Sequence, residues 1–255
     1  MIYYVLMNTE QLLNVVMKLG TLLMASGAEV YRVEETMNRI CLSFPDVESV
    51  QSYGTVTGIM LSITVEGKTY THIGRVRERS TNLAVIDEIN ELSRQCCRQH
   101  MTVSDIEQHL YQIEHTKHYS FWTTTLFGAI GAFGFSIFFD GNIPEMIASF
   151  VIGIVIRCMG WALSKLHLQD FLINMFSAMM AAWLAVAIHA LIPQANINIM
   201  VISSIMLLVP GLAFTNSIRD TISTDYVSGV ARGAEAFLCA TAIAIGAGFI
   251  LYIWR

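Results

Sequence analysis

Asn216 and Asp220 stand four residues apart, so a helix through them carries an amide and a carboxylate on one face. Thr215 and Arg219 form the adjacent ridge, and Arg232 and Glu235 follow across the short segment 223–229. Two cations, two carboxylates, an amide and hydroxyls suit a zwitterionic hydroxy amino acid. A cation or helix N-terminus would take its carboxylate, a carboxylate its ammonium, and an amide or hydroxyl its side chain. The competing reading makes Arg219 and Arg232 ordinary anchors at a membrane surface, paired with Asp220 and Glu235.

What must position these groups is the stretch just before them, Leu207-Leu208-Val209-Pro210-Gly211. It begins as lipid-compatible helix. Pro210 removes one backbone hydrogen bond and frees the carbonyl of Met206. In hydrocarbon such a break survives only where protein or water satisfies the freed groups, and broken helices are where secondary transporters place substrate. A kink or unwound segment at 209–212 is therefore expected, with Asn216 and Asp220 facing protein or water. A packing kink without function is the alternative.

Composition agrees with a membrane protein. Apolar residues make up 54 % of the 255, charged residues 14 %, and the mean hydropathy is +0.54. The average hides a division. Residues 1–118 hold 10 of the 15 Lys+Arg and 14 of the 20 Asp+Glu. The expected architecture is an α+β cytoplasmic domain over 1–118, followed by an all-α membrane domain of five transmembrane helices over 119–255. Five cysteines without C-x-x-C or framework spacing fit a reducing compartment, and Glu10 and Lys18 break up any secretory-signal pattern. A net charge of −5 gives no reason to expect nucleic acid.

In the first domain, Asn8 with Gln11 is placed to cap a helix through Leu12, Val15, Val16, Leu19, Leu22 and Leu23, which Gly27 stops. Ser26-x-x-Glu29 reads as a capping box for a second helix with Val30, Val33, Met37, Ile40, Cys41 and Phe44 buried, ended by Pro45. Residues 59–65 alternate as a half-buried strand, and Glu66-Gly67 turns the chain into a partner at 68–73. A shorter strand lies near 50–53. Ser80 or Thr81 starts a third helix, and Thr102-x-x-Asp105 opens a fourth. The sum is a small sheet with helices packed on it.

Nothing in this domain carries a nucleophile–base pair or metal-ligand spacing. Arg75, Arg77 and Arg79, joined by Arg39, make either an anion site or a solvated cluster. His100, His109, His115 and His118 are too loosely spaced for a metal site. No catalytic residue, metal or cofactor is assigned.

The spans expected are 121–139, 143–165, 170–192, 197–218 and 233–254. Gly128, Gly131 and Gly134 offer a small face on the first. Arg157, inside the second, costs about 3 kcal/mol unless it faces the bundle or snorkels to its near end. His189 reads as interfacial. Lys165, Arg219, Arg232 and the basic first domain fall on one side, whereas loops 140–143 and 193–196 carry no Lys or Arg. That places the N-terminus in the cytoplasm and the C-terminus, with Arg255, outside, in the plasma or inner membrane.

Three stretches together resemble a known family. Leu208-Val209-Pro210-Gly211, Thr215-Asn216-Ser217-Ile218-Arg219-Asp220 and Ser228-Gly229-Val230-Ala231-Arg232-x-x-Glu235 are similar to the signature of the threonine/serine exporters. Gly27-Ala28-Glu29-Val30-Tyr31-Arg32-Val33-Glu34 and Ser52-Tyr53-Gly54 resemble that family's N-terminal cytoplasmic domain. The resemblance implies secondary, ion-coupled export of small amino acids, with Pro210, Gly211, Thr215, Asn216, Asp220, Arg219, Arg232 and Glu235 as substrate-binding and transport residues. Single-chain members are similar to this chain followed by a second membrane half. This chain therefore resembles the larger subunit of the split, two-gene type, some of which are associated with succinate export. That implies a second small membrane subunit of inverted topology as partner, beside the small-molecule substrate and the lipid bilayer. A membrane-anchored sensor or enzyme is the alternative from another class.

Overall fold

Glu66 and Gly67 both adopt positive φ, 49° and 71°, as a two-residue hairpin turn requires. In the computed structural model, which describes residues 2–77, 79–99, 101–116 and 119–254, that turn joins β2 (Gly58–Val65) to β3 (Lys68–Arg75). β1 (Val47–Thr55) pairs with the other edge of β2, giving a three-stranded antiparallel sheet of order β1-β2-β3. β1 is longer than the 50–53 expected. Ile59, Leu61, Ile63 and Val65 point into the core, and hydroxyl pairs Ser62–Thr71 and Thr64–Thr69 bridge the strands at 2.8 and 3.1 Å.

Against the sheet lie α1 (Ile2–Ala25) and α2 (Val30–Leu42), with α3 (Leu83–Gln99) and α4 (Val103–Glu114) completing the layer. The shared core runs through Leu19, Leu23, Met37, Ile40, Ile89 and Ile106. Gly74 of β3 lies so close to Met17 of α1 that a Cβ there would stand 2.6 Å from its sulfur.

Helix starts reveal how far local signals reach. Thr102 caps α4 as expected: its hydroxyl accepts from the Asp105 N–H, and Asp105 accepts from the Thr102 N–H at 3.0 Å. α1 begins at Ile2, so Asn8 is interior and not a cap; the apolar run 2–7 carries the helix back past it. α3 begins at Leu83, its Val85 N–H bonded to the Asn82 side chain, so neither Ser80 nor Thr81 is the cap. The Ser26 box does not form. Glu29 holds the N-cap position of α2 without a side-chain cap, after Gly27 has ended the preceding turn at φ 91°.

The chain divides into two compact units: Met1–Lys117 with Leu212–Gly233, and His118–Gly211 with Ala234–Arg255. The second contains α5 (Phe121–Phe138), α6 (Ile143–Ser164), α7 (Asp170–Leu191), α8 (Ile197–Ile205) and most of α10 (Tyr226–Trp254). α5, α6, α7 and α10 are long and apolar enough to cross a membrane. α8 has nine residues, a rise of about 14 Å, and is too short for a hydrocarbon core of about 30 Å. Small-residue packing in the second unit is largely alanine-based. Ala178, Ala181, Ala182 and Ala185 of α7 are fully buried, and Gly153 of α6 meets Ala129 and Ala132 of α5. Of the three glycines expected to form the small face of α5, Gly128 and Gly131 meet Arg157 and Leu207, but Gly134 faces open space. Arg157 is exposed, its stem laid over Gly128.

Candidate functional site

The helix that begins at Ile197 ends at Ile205, and helical structure resumes at Gly211 in α9 (Gly211–Ile222). The expected break is present but starts earlier than 209–212, at Met206. Pro210 lacks an N–H and drives Val209 out of the helical region, so the last helical turn before it unravels.

α9 and the start of α10 form a close hairpin within the first unit. Thr224 turns at φ 70°, and Asp225 caps α10 by accepting from the Ser228 N–H at 3.3 Å. Ser217 donates to the Gly229 carbonyl at 2.7 Å. Gly229 packs so tightly that a Cβ would meet Thr221 Oγ1 at 2.2 Å and the Thr221 backbone nitrogen at 3.0 Å. No other residue fits there unchanged.

This hairpin closes on the turn that opens α2. Asn216 Nδ2 donates to the Gly27 carbonyl at 2.9 Å. Arg232 donates to the Ala28 carbonyl at 2.6 Å, and Arg219 pairs with Glu29. The Val30 N–H donates to Asp220 Oδ1 at 3.3 Å, so the cap that α2 lacks locally comes from 190 residues away. Asp220 Oδ2 and Arg232 Nε face each other at 3.1 Å, as charges and not in hydrogen-bond geometry. Asp220 is 0 % exposed and Arg232 6 %, so this pair is fully desolvated. Burial pushes the Asp220 carboxyl above its usual range, while Arg232 and the Val30 N–H pull it down.

A second tie lies alongside. Glu34 accepts from the Gly54 N–H at 2.6 Å, and the Ser52 hydroxyl reaches the Glu34 carbonyl at 3.4 Å. Burial raises the Glu34 carboxyl above its usual range, the Gly54 bond opposes this, and Asp225 adds to it.

Of the residues singled out from sequence, the structure joins Asn216, Arg219, Asp220 and Arg232 through one turn. Asn216 and Asp220 face protein. Thr215 is exposed, its hydroxyl donating to the Leu212 carbonyl at 3.2 Å. Pro210, Gly211 and Glu235 belong to the second unit, with Gly211 and Glu235 exposed. Arg39 pairs with Glu35 at 2.5 Å. Among the described residues no group of three His, Cys, Asp or Glu side chains could hold a metal; His100 and His118 lie outside them. The residues overlooked as site members were Gly27, Ala28, Glu29 and Val30. Their signal was present as a glycine-led turn entering a helix that has no usable cap of its own.

Residues 14–254 match the family model described as "Putative threonine/serine exporter". A "Probable threonine/serine exporter" of Mycobacterium tuberculosis is 23 % identical over 94 % of this chain and 46 % of its own length, so the chain spans about half of that relative. A "Probable succinate transporter subunit YjjP" of Escherichia coli is 23 % identical over 97 % of this chain and 98 % of its own length. Its namesake from Klebsiella aerogenes is 25 % identical over 91 % and 90 %. No solved structure matches the chain.

Proposed function

Because the chain belongs to the threonine/serine exporter family, we propose that it is a non-enzymatic subunit of an ion-coupled secondary exporter for threonine, serine or a small dicarboxylate. The observation that carries the reading is the set of partners around Asp220. A backbone N–H and a guanidinium already hold one desolvated carboxylate there, while Asn216 and Arg232 bind carbonyl oxygens. A substrate carboxylate and its polar neighbours need the same groups.

We assign the transport role to Pro210, Gly211, Thr215, Asn216, Arg219, Asp220, Arg232 and Glu235. In the state described, the Gly27–Val30 turn occupies four of them, so substrate would enter by exchanging with that turn. The first domain modulates access and performs no chemistry.

The proposed topology has five passes, the fourth being the broken segment containing α8, with the N-terminus in the cytoplasm and the C-terminus outside. An odd-numbered unit is duplicated only with inverted topology, and inverted-repeat transporters place their site between the repeats. The one-sided basic residues prevent this chain from inserting both ways. The partner is therefore a separate, very hydrophobic membrane subunit of opposite orientation. A full-length match to relatives named as a subunit supports this.

Efflux of labelled threonine, serine and succinate from liposomes holding the chain with its co-purified partner tests the reading. Saturable efflux of one of them is expected. Loss of efflux when the partner is omitted supports the two-subunit form, and equal efflux by the chain alone overturns it.

A further inference from the structure

Among the described residues of the second unit, five buried hydroxyls make no hydrogen bond to protein. They are Thr125 and Ser136 on α5, Ser149 on α6, Ser177 on α7 and Ser204 on α8, each at most 2 % exposed. At the end of this bundle where α6 starts lies Glu145, 1 % exposed. Its Oε2 accepts from the Asn142 N–H at 3.0 Å and its Oε1 from the Asn196 N–H at 2.8 Å. One carboxylate thus ties the first turn of α6 to the turn that opens α8.

The hydroxyls extend away from it. Ser149 is one helical turn along α6 from Glu145, and Ser136 Oγ lies beside Gly141 in the α5–α6 turn. Ser204 stands about 12 Å along α8 from Asn196, and Thr125 about 16 Å along α5 from Ser136, at 1.5 Å per residue. Groups so far apart cannot surround a single metal cation, which needs several oxygens within about 2.6 Å. They suit a file of small hydrogen-bonding guests, because each hydroxyl can both donate and accept.

We infer that Glu145 is the proton-carrying group of the transporter and that the buried hydroxyls mark the internal route by which the proton reaches it. This rests on the exporter reading above and assigns the residue that would carry its coupling proton. When a proton bonds to one carboxylate oxygen, that oxygen becomes a donor and its backbone N–H partner loses its acceptor. Protonation at Oε1, the oxygen bonded to the Asn196 N–H, thus opens the clamp between α6 and α8; passing the proton to water molecules hydrogen-bonded along the hydroxyls restores it. Among the described residues, other titratable groups at this end are Asp140, exposed in the α5–α6 turn, Tyr252, exposed near the end of α10, and His189 of α7, whose Nδ1 bonds the Ala195 carbonyl at 2.7 Å. Arg157 lies about 18 Å along α6.

Glu145→Gln and Ser177→Ala are tested in the chain reconstituted with its partner. Expected is loss of proton-gradient-driven transport by about tenfold or more, while exchange of labelled for unlabelled substrate continues. Unchanged gradient-driven transport in both variants overturns the inference, as does a parallel loss of exchange in folded protein. Infrared difference spectra of the purified protein across pH decide the matter without transport. A titrating carboxylic-acid band present in wild type and missing in Glu145→Gln supports it; identical spectra overturn it. A wild-type protein that exchanges none of threonine, serine and succinate sinks the exporter reading instead, and the infrared result still stands.

Discussion

Asn216, Asp220 and Arg232 at the α9–α10 hairpin and the hydroxyls inside the α5–α8 bundle are all buried but differently satisfied, while Arg219 beside them is exposed. Asn216, Arg219, Asp220 and Arg232 find partners in the Gly27–Val30 turn. The five hydroxyls of the bundle find none among the described residues, at about 1–3 kcal/mol each. The first region is a joint, held by bonds between the α9–α10 hairpin and the turn that opens α2. The second sets unpartnered hydroxyls on four different helices.

The largest effect should come from breaking the joint's charge pair. Arg232→Gln strands a carboxylate at 0 % exposure and should destabilise the protein by about 3–5 kcal/mol. Thermal melts in detergent measure this. The double variant Asp220→Asn, Arg232→Gln should recover much of the loss, because a neutral amide pair leaves no charge buried. Equal melts for the single variant and wild type would show that the pair is solvated.

Gly229→Ala tests the hairpin itself. The new Cβ meets the Thr221 backbone, which cannot rotate away, so a loss of about 1–3 kcal/mol is expected. Protease sensitivity near Thr224 should rise with it.

A smaller, pH-dependent effect should appear at Glu34. Burial raises its carboxyl in the folded protein, so the stability it contributes is complete below the ordinary carboxylate range, near pH 4, and is lost as pH rises through the raised value. Glu34→Gln cannot ionise and keeps an acceptor for Gly54. Its stability relative to wild type should increase from about pH 4 to about pH 7 and stay flat below. A difference that shrinks over that interval contradicts the assignment.

Thr102→Ala is the local control. It removes one cap from α4 at about 1 kcal/mol and should leave both polar regions unaffected.

These same positions show what a sequence can and cannot reveal. The Thr102 box and the Glu66-Gly67 turn were legible because every atom involved lies within four residues. Pro210 announced a break for the same reason, and the sidedness of Asn216 and Asp220 followed from their spacing. Ser26 misled because the true cap of α2 arrives from Asp220, and no window of sequence contains both. Glu145 sits three residues after Asn142, a spacing that reads as an ordinary helix start; its second bond, to Asn196, exists only in the fold. Single serines in apolar helices usually bond their own backbone, so the five unpartnered hydroxyls had no signature at all.

The most direct test of the central claim is substrate efflux from liposomes by wild type and Asp220→Asn at matched protein density, each with the co-purified partner. The account predicts saturable wild-type efflux of threonine, serine or succinate, and a variant rate no faster than that of empty liposomes. Wild-type rates from the Asn variant would contradict it, and would leave the joint as a structural anchor alone.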